Sequence, residues 1–174
     1  VCKPIIYLSL LELEKIENKI FGIDRLDKIK DCFLFACYTG LAFVDLEKIT
    51  KDNLIEVSGR KLLHIHRTKT KIEAWIPLTQ KALAIWERYK YKLPVLTNQK
   101  YNAYLKEIQD LCNISKKLTT HVARRTFANL MLNVYAVPYE TVSKLLAHAD
   151  INTAQKYYVN VGLEKVLRDT EGID

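Results

Sequence analysis

The sequence predicts an α+β domain, mainly helical, with a small three-stranded antiparallel sheet among the helices. Most of the chain falls into stretches whose apolar residues recur every three to four positions. One interval, Leu54 to Pro77, changes to a period of two and is broken twice by polar, basic turns. At 174 residues, 49% hydrophobic and 27% charged, the chain is long enough for one domain with a substantial core.

The elements follow in order. After an extended piece, KPIIYL, Ser9 and Glu12 stand at capping-box spacing and predict a helix to about Ile20, ended by Gly22. Asp24 is the predicted cap of a second helix, with Leu26, Ile29, Phe33 and Cys37 on one face. That helix runs into the segment Thr39-Gly40-Leu41-Ala42-Phe43-Val44-Asp45-Leu46. The strands are Leu54–Val57, Leu62–His66 and Ala74–Pro77, joined by turns at Ser58–Lys61 and Thr68–Lys71. His64 and His66 alternate on the middle strand and read as a pair facing solvent or a bound partner.

Thr79 predicts the start of a helix reaching roughly Tyr89, and Pro94 breaks the chain. Asn98 precedes a helix from about Lys100 to Cys112. Pro138 suits the first turn of a later helix, ending near His148, with Val142, Leu145 and Leu146 as its buried stripe. Ile151 to Tyr158 reads as a further short helix, and the tail holds one amphipathic turn of Val161, Leu163, Val166 and Leu167.

Charge narrows the partner. A formal charge of +7 and a pI near 9.1 favour a polyanion, and nucleic acid is the commonest one. No apolar run is long enough to span a bilayer, and no signal peptide opens the chain. Cys2, Cys32, Cys37 and Cys112 form no C-x-x-C pair and no zinc-like spacing with histidine, which points to a reducing compartment. The expectation is a cytoplasmic protein with no metal or other cofactor.

The chemistry concentrates between His121 and Tyr157. His121 and Arg124 are three apart and share a helix face, so both can present donors to one anion. His148 follows at the end of the next helix, and the pair Tyr157-Tyr158 begins nine residues later. An arginine, two histidines and a tyrosine brought to one point would make a site for a phosphodiester.

His121-x-x-Arg124, Leu-Ala-His148 and Tyr157 together resemble the C-terminal active-site box of the tyrosine recombinases, also called phage-type integrases. The segments LTTHVARRTFANLML and ETVSKLLAHADINTAQKYYV match that family along most of their length, in wording similar to integrases of Bacteroidetes mobile elements. The resemblance implies the DNA breaking-rejoining catalytic fold and makes residues 1–174 one catalytic domain. The start at Val1-Cys2-Lys3-Pro4 is then read as an excised piece lacking its N-terminal DNA-binding domain.

The resemblance also assigns roles. Tyr157 becomes the nucleophile that forms a 3′-phosphotyrosyl bond, and Arg124, His121 and His148 hold the phosphate oxygens. The hairpin HRTKTKIEAWIPL carries the lysine that protonates the leaving oxygen, with Lys69 first choice and Lys71 the fallback. Asp45 matches an acid that supports the site from behind, although a carboxylate near a helix start is also a common cap.

One departure stands out. The family shows an arginine at the place of Ala42, one of two guanidinium groups that hold the scissile phosphate. Lys30 and Arg25, on the preceding helix, are the nearest candidates in sequence to replace it. Arg60, Lys61, Arg67, Lys71, Asn102, Lys106, Lys116, Lys117 and Arg125 are the expected DNA contacts. The implied partners are double-stranded DNA and further copies of the chain, four protomers on two sites, docked through the C-terminal tail. A catalytically degenerate DNA-binding module and a type IB topoisomerase-like relaxase are the alternatives.

Overall fold

The structure is a computed structural model, and it describes residues 4–148, 167 and 170–172. The helices are α1 (Leu10–Asn18), α2 (Asp24–Thr39), α3 (Phe43–Leu46), α4 (Gln80–Arg88), α5 (Asn98–Leu111), α6 (Thr120–Asn129) and α7 (Tyr139–Leu145). Between α3 and α4 lies an antiparallel sheet in the order β1 (Leu54–Val57), β2 (Arg60–His66), β3 (Glu73–Pro77). The mainly helical fold with a three-stranded sheet is therefore the observed one.

Helix α2 is the axis of the domain. It packs against α4, α5 and α6, and Leu26, Ile29, Phe33, Phe35 and Cys37 on it are fully buried. A helix enclosed on several sides needs apolar residues beyond one stripe, which is what DCFLFACYT supplies. The sheet covers one flank. Leu63, Ile65, Ala74 and Ile76 point inward, while His64 and Trp75 pair across the outer face with stacked rings 5.4 Å apart. His64 also shares a short 2.6 Å hydrogen bond with Glu73.

Local chemistry explains the boundaries. The capping box at α1 is formed in both directions, Ser9 Oγ accepting from the Glu12 amide and Glu12 Oε2 from the Ser9 amide. Asp24 is not a cap: it lies inside the first turn of α2, where with Asp27 it meets the positive helix end. Strand β2 begins two residues before its predicted start, because Ser58 and Gly59 make the whole turn at φ 52° and 76°. Two consecutive positive φ values give the tight hairpin whose twist suits the flanking strands, so Arg60 and Lys61 pair with Val57 and Glu56.

Helix α5 likewise starts earlier than predicted, at Asn98, capped by Thr97. Helix α7 stops at Leu145, and Ala147 turns left-handed at φ 50°. The π-helical turn Leu130–Val134 that follows α6 was not expected from the periodicity. The predicted helix Ile151–Tyr158, and Val161, Leu163 and Val166 of the tail, lie outside the described residues. Cys32, Cys37 and Cys112 are free and buried, and no described helix is long and apolar enough to cross a membrane.

Candidate active site

The carbonyl of Gly40 is the meeting point. Gly40 ends α2 in the left-handed region (φ 67°), and a Cβ there would stand 2.5 Å from Phe127 Cδ1 and 2.9 Å from Leu146 Cδ2. Only glycine permits this approach of α2, α6 and α7. Arg124, on the inward side of α6, donates from Nη1 to the Gly40 carbonyl at 2.6 Å and from Nη2 to the Leu146 carbonyl at 2.5 Å. One guanidinium thus ties the ends of α2 and α7 together.

A second guanidinium reaches the same place. Arg67, just past β2, donates from Nη2 to the Gly40 carbonyl at 3.4 Å and to the Leu145 carbonyl at 3.1 Å. Its Nη1 lies 3.5 Å from Asp45 Oδ2. Arg67, named among the expected DNA contacts, is 3% exposed. Burial, and next the charge of Arg124, pull its pKa down to about 10, with Asp45 opposing, so it stays protonated at neutral pH. The signal was present in the sequence: Leu63, Ile65 and Arg67 share strand parity, and the first two face the core.

Asp45 is a brace and not a cap of its own helix. Its Oδ1 accepts from the Thr68 amide at 2.9 Å while Oδ2 faces Arg67, so one carboxylate holds both Arg67 and the start of the β2–β3 turn. Lys69 follows on the exposed turn, and Lys71 leaves it in the left-handed region (φ 61°).

His148 lies just beyond α7, half-buried, its amide bonded to the Ser143 carbonyl at 3.0 Å. Burial, then the positive charges of Arg124 and Arg67, push its pKa down to about 4. The ring is neutral at pH 7, and its buried Nδ1 has no hydrogen-bond partner among the described residues.

His121 sits one helical turn from Arg124 but is exposed, and it borders an open cleft of about 810 Å³ between α5 and the start of α6. Asn102, Lys106 and Lys117 line the same cleft, so four of the sequence-selected residues come together there. Arg60 and Lys61 are exposed at the β1–β2 hairpin, and Arg125 is half-buried beside Arg124. Lys116 is engaged with Glu12 at 2.8 Å.

Neither candidate replacement for the missing arginine is directed at Gly40. Lys30 Nζ donates to the Lys19 carbonyl at 2.7 Å, and Arg25 forms a two-pronged pair with Glu107 at 2.9 Å. Tyr157 and Tyr158 lie outside the described residues.

Comparison with known proteins gives this geometry a family. Tyrosine recombinase XerC of Rickettsia prowazekii (strain Madrid E) is 26% identical over 163 residues, which is 85% of this chain and 52% of that protein. The chain thus spans about half the length of that relative. Among solved structures, XerH site-specific recombinase bound to difH substrate in a pre-cleavage complex superposes with a TM-score of 0.73. It is 18% identical, over 94% of this chain and 52% of that one. The Tn1549 transposon integrase in complex with circular intermediate DNA gives a TM-score of 0.69 at 15% identity, over 99% of this chain and 68% of that one. Both are likenesses of fold. Residues 12–162, which take in every segment that meets at Gly40, match the phage integrase family, and the chain belongs to it.

Proposed function

We propose that the chain is the catalytic domain of a site-specific DNA recombinase serving a mobile genetic element. It would cut and rejoin DNA through a 3′-phosphotyrosyl intermediate. The observation that carries this reading is the forked contact of Arg124 with Gly40 and Leu146, beside a neutral His148, in a chain of the phage integrase family. Donors fixed before the reaction stabilise charge as it develops on phosphate oxygens, without reorganising at the moment of transfer.

In the proposed step, Tyr157 Oη forms a bond to the scissile phosphorus and its proton passes to His121. The bond from phosphorus to the 5′ oxygen breaks, and Lys69 protonates that oxygen. Arg124 and His148 hold the nonbridging oxygens. Attack by a second 5′-hydroxyl reverses the sequence and releases the tyrosine, so the bond energy is kept and no nucleotide cofactor is consumed. Asn102, Lys106 and Lys117, at the α5–α6 cleft, are proposed contacts to the flanking duplex. Self-association through the C-terminal tail, with four protomers on two sites, and an N-terminal DNA-binding domain elsewhere in the protein belong to the same proposal.

A nicked duplex, selected for binding from a randomised pool, tests it by trapping any covalent intermediate. The wild type is expected to form a denaturation-resistant adduct that Tyr157→Phe and Arg124→Ala lose. Adduct formation undiminished in Tyr157→Phe, or a phosphopeptide containing modified Tyr158, overturns the assignment.

A further inference from the structure

We propose that Arg67 supplies the second phosphate-holding guanidinium, doing from the end of β2 what position 42 cannot do with an alanine. The inference rests on the strand-transfer reading and adds to it a catalytic residue from a different element. Three observations carry it. Arg67 and Arg124 donate to one and the same carbonyl, that of Gly40, and then to the neighbouring carbonyls of Leu145 and Leu146. Each group therefore has a guanidinium nitrogen within 3.4 Å of one and the same oxygen, close enough for both to meet a single anion. Asp45, three residues past Ala42, turns its carboxylate to Arg67, so the local acid supports this guanidinium in place of a side chain from its own segment.

The third observation is an orphaned donor. Among the described residues, Nε of Arg67 is buried without a hydrogen-bond partner, and the Asp45 carboxylate stands off at 3.5 Å. An arginine serving only the fold would be fully hydrogen-bonded, because an unmatched buried donor costs free energy. The nonbridging oxygens of a phosphodiester supply acceptors of the kind it lacks. Arg124 is only half-buried, so the pair is not sealed from solvent.

The test uses the full-length protein and two matched nicked duplexes. One has an ordinary scissile phosphate and the other a methylphosphonate, in which a methyl group replaces a nonbridging oxygen and removes its charge. On phosphodiester, Arg67→Ala should form adduct on the order of 10²–10³-fold more slowly than wild type, at nearly unchanged duplex affinity. On methylphosphonate the same variant should come within about tenfold of wild type, since there is less charge left to hold. A merely structural arginine predicts an equal deficit on both substrates, and that result overturns the proposal.

Should Arg67→Ala fail to fold, Arg67→Lys keeps the charge and loses the fork. Adduct formation by Arg67→Lys at the wild-type rate on phosphodiester likewise overturns the proposal, and a tenfold or greater loss relieved on methylphosphonate supports it. Wild-type protein that forms no adduct on either duplex overturns the strand-transfer reading and this one with it. Wild type and folded Arg67→Ala reacting equally on phosphodiester overturns only the role of Arg67.

Discussion

At the scale of single residues, the site is decided by how few charges are allowed inside and where each one is spent. Asp45 holds Arg67 and the Thr68 amide together, so a change there disturbs a guanidinium and the hairpin bearing Lys69 at once. His148 answers to the same surroundings. With its pKa near 4, against 6.5 for the free side chain, the unfolded chain takes up the proton first. The stability contributed by neutral His148 is complete above about pH 6.5 and falls away as the pH drops toward 4. An NMR titration of the His148 ring should show a midpoint close to 4, and a midpoint near 6.5 would contradict the burial described. What the pattern of His121, Arg124, His148 and Tyr157 made legible is the family, because its order and spacing are distinctive. Arg67 was named among the DNA contacts on its charge, and its burial was overlooked, although its strand parity with Leu63 and Ile65 put it inside.

At the scale of elements, most starts and stops follow from short-range chemistry. The Ser9–Glu12 box and the Thr79 cap were readable because the bonding partners lie three residues apart. The Ser58-Gly59 turn was placed too wide, since its tightness depends on a backbone conformation that basic neighbours do not reveal. The π-helical turn after α6 has no signal in the local pattern of residues. Gly40 is where local and long-range constraints coincide. Gly40→Ala must strain a left-handed residue and displace Phe127 and Leu146, at a cost of about 2–5 kcal/mol. Urea unfolding should show that loss as a lower midpoint. Gly59→Ala, whose Cβ would meet nothing within 4 Å, should lose only the smaller backbone part. Equal effects from the two substitutions would contradict the packing account.

At the scale of the whole molecule, α2, α3, α6, α7 and the sheet each deliver one part to a common point, and no segment holds a site alone. The end of α2 gives a carbonyl, α3 a carboxylate, the end of β2 and α6 a guanidinium each, and the residue after α7 an imidazole. Fold class was readable from periodicity because burial repeats along the chain. The identity of the second cation was not, since it depends on which strand end the tertiary structure brings to Gly40. The α5–α6 cleft is lined by Asn102, Lys106, Lys117 and His121, and a flanking duplex is its proposed occupant. In the proposed complex the scissile phosphate sits against the Gly40 cluster. A crystal structure of Tyr157→Phe on a nicked duplex measures that directly. Nonbridging oxygens are expected about 3 Å from the guanidinium groups of both Arg124 and Arg67. A scissile phosphate held in the α5–α6 cleft, with both guanidinium groups still turned only to protein carbonyls, would contradict it.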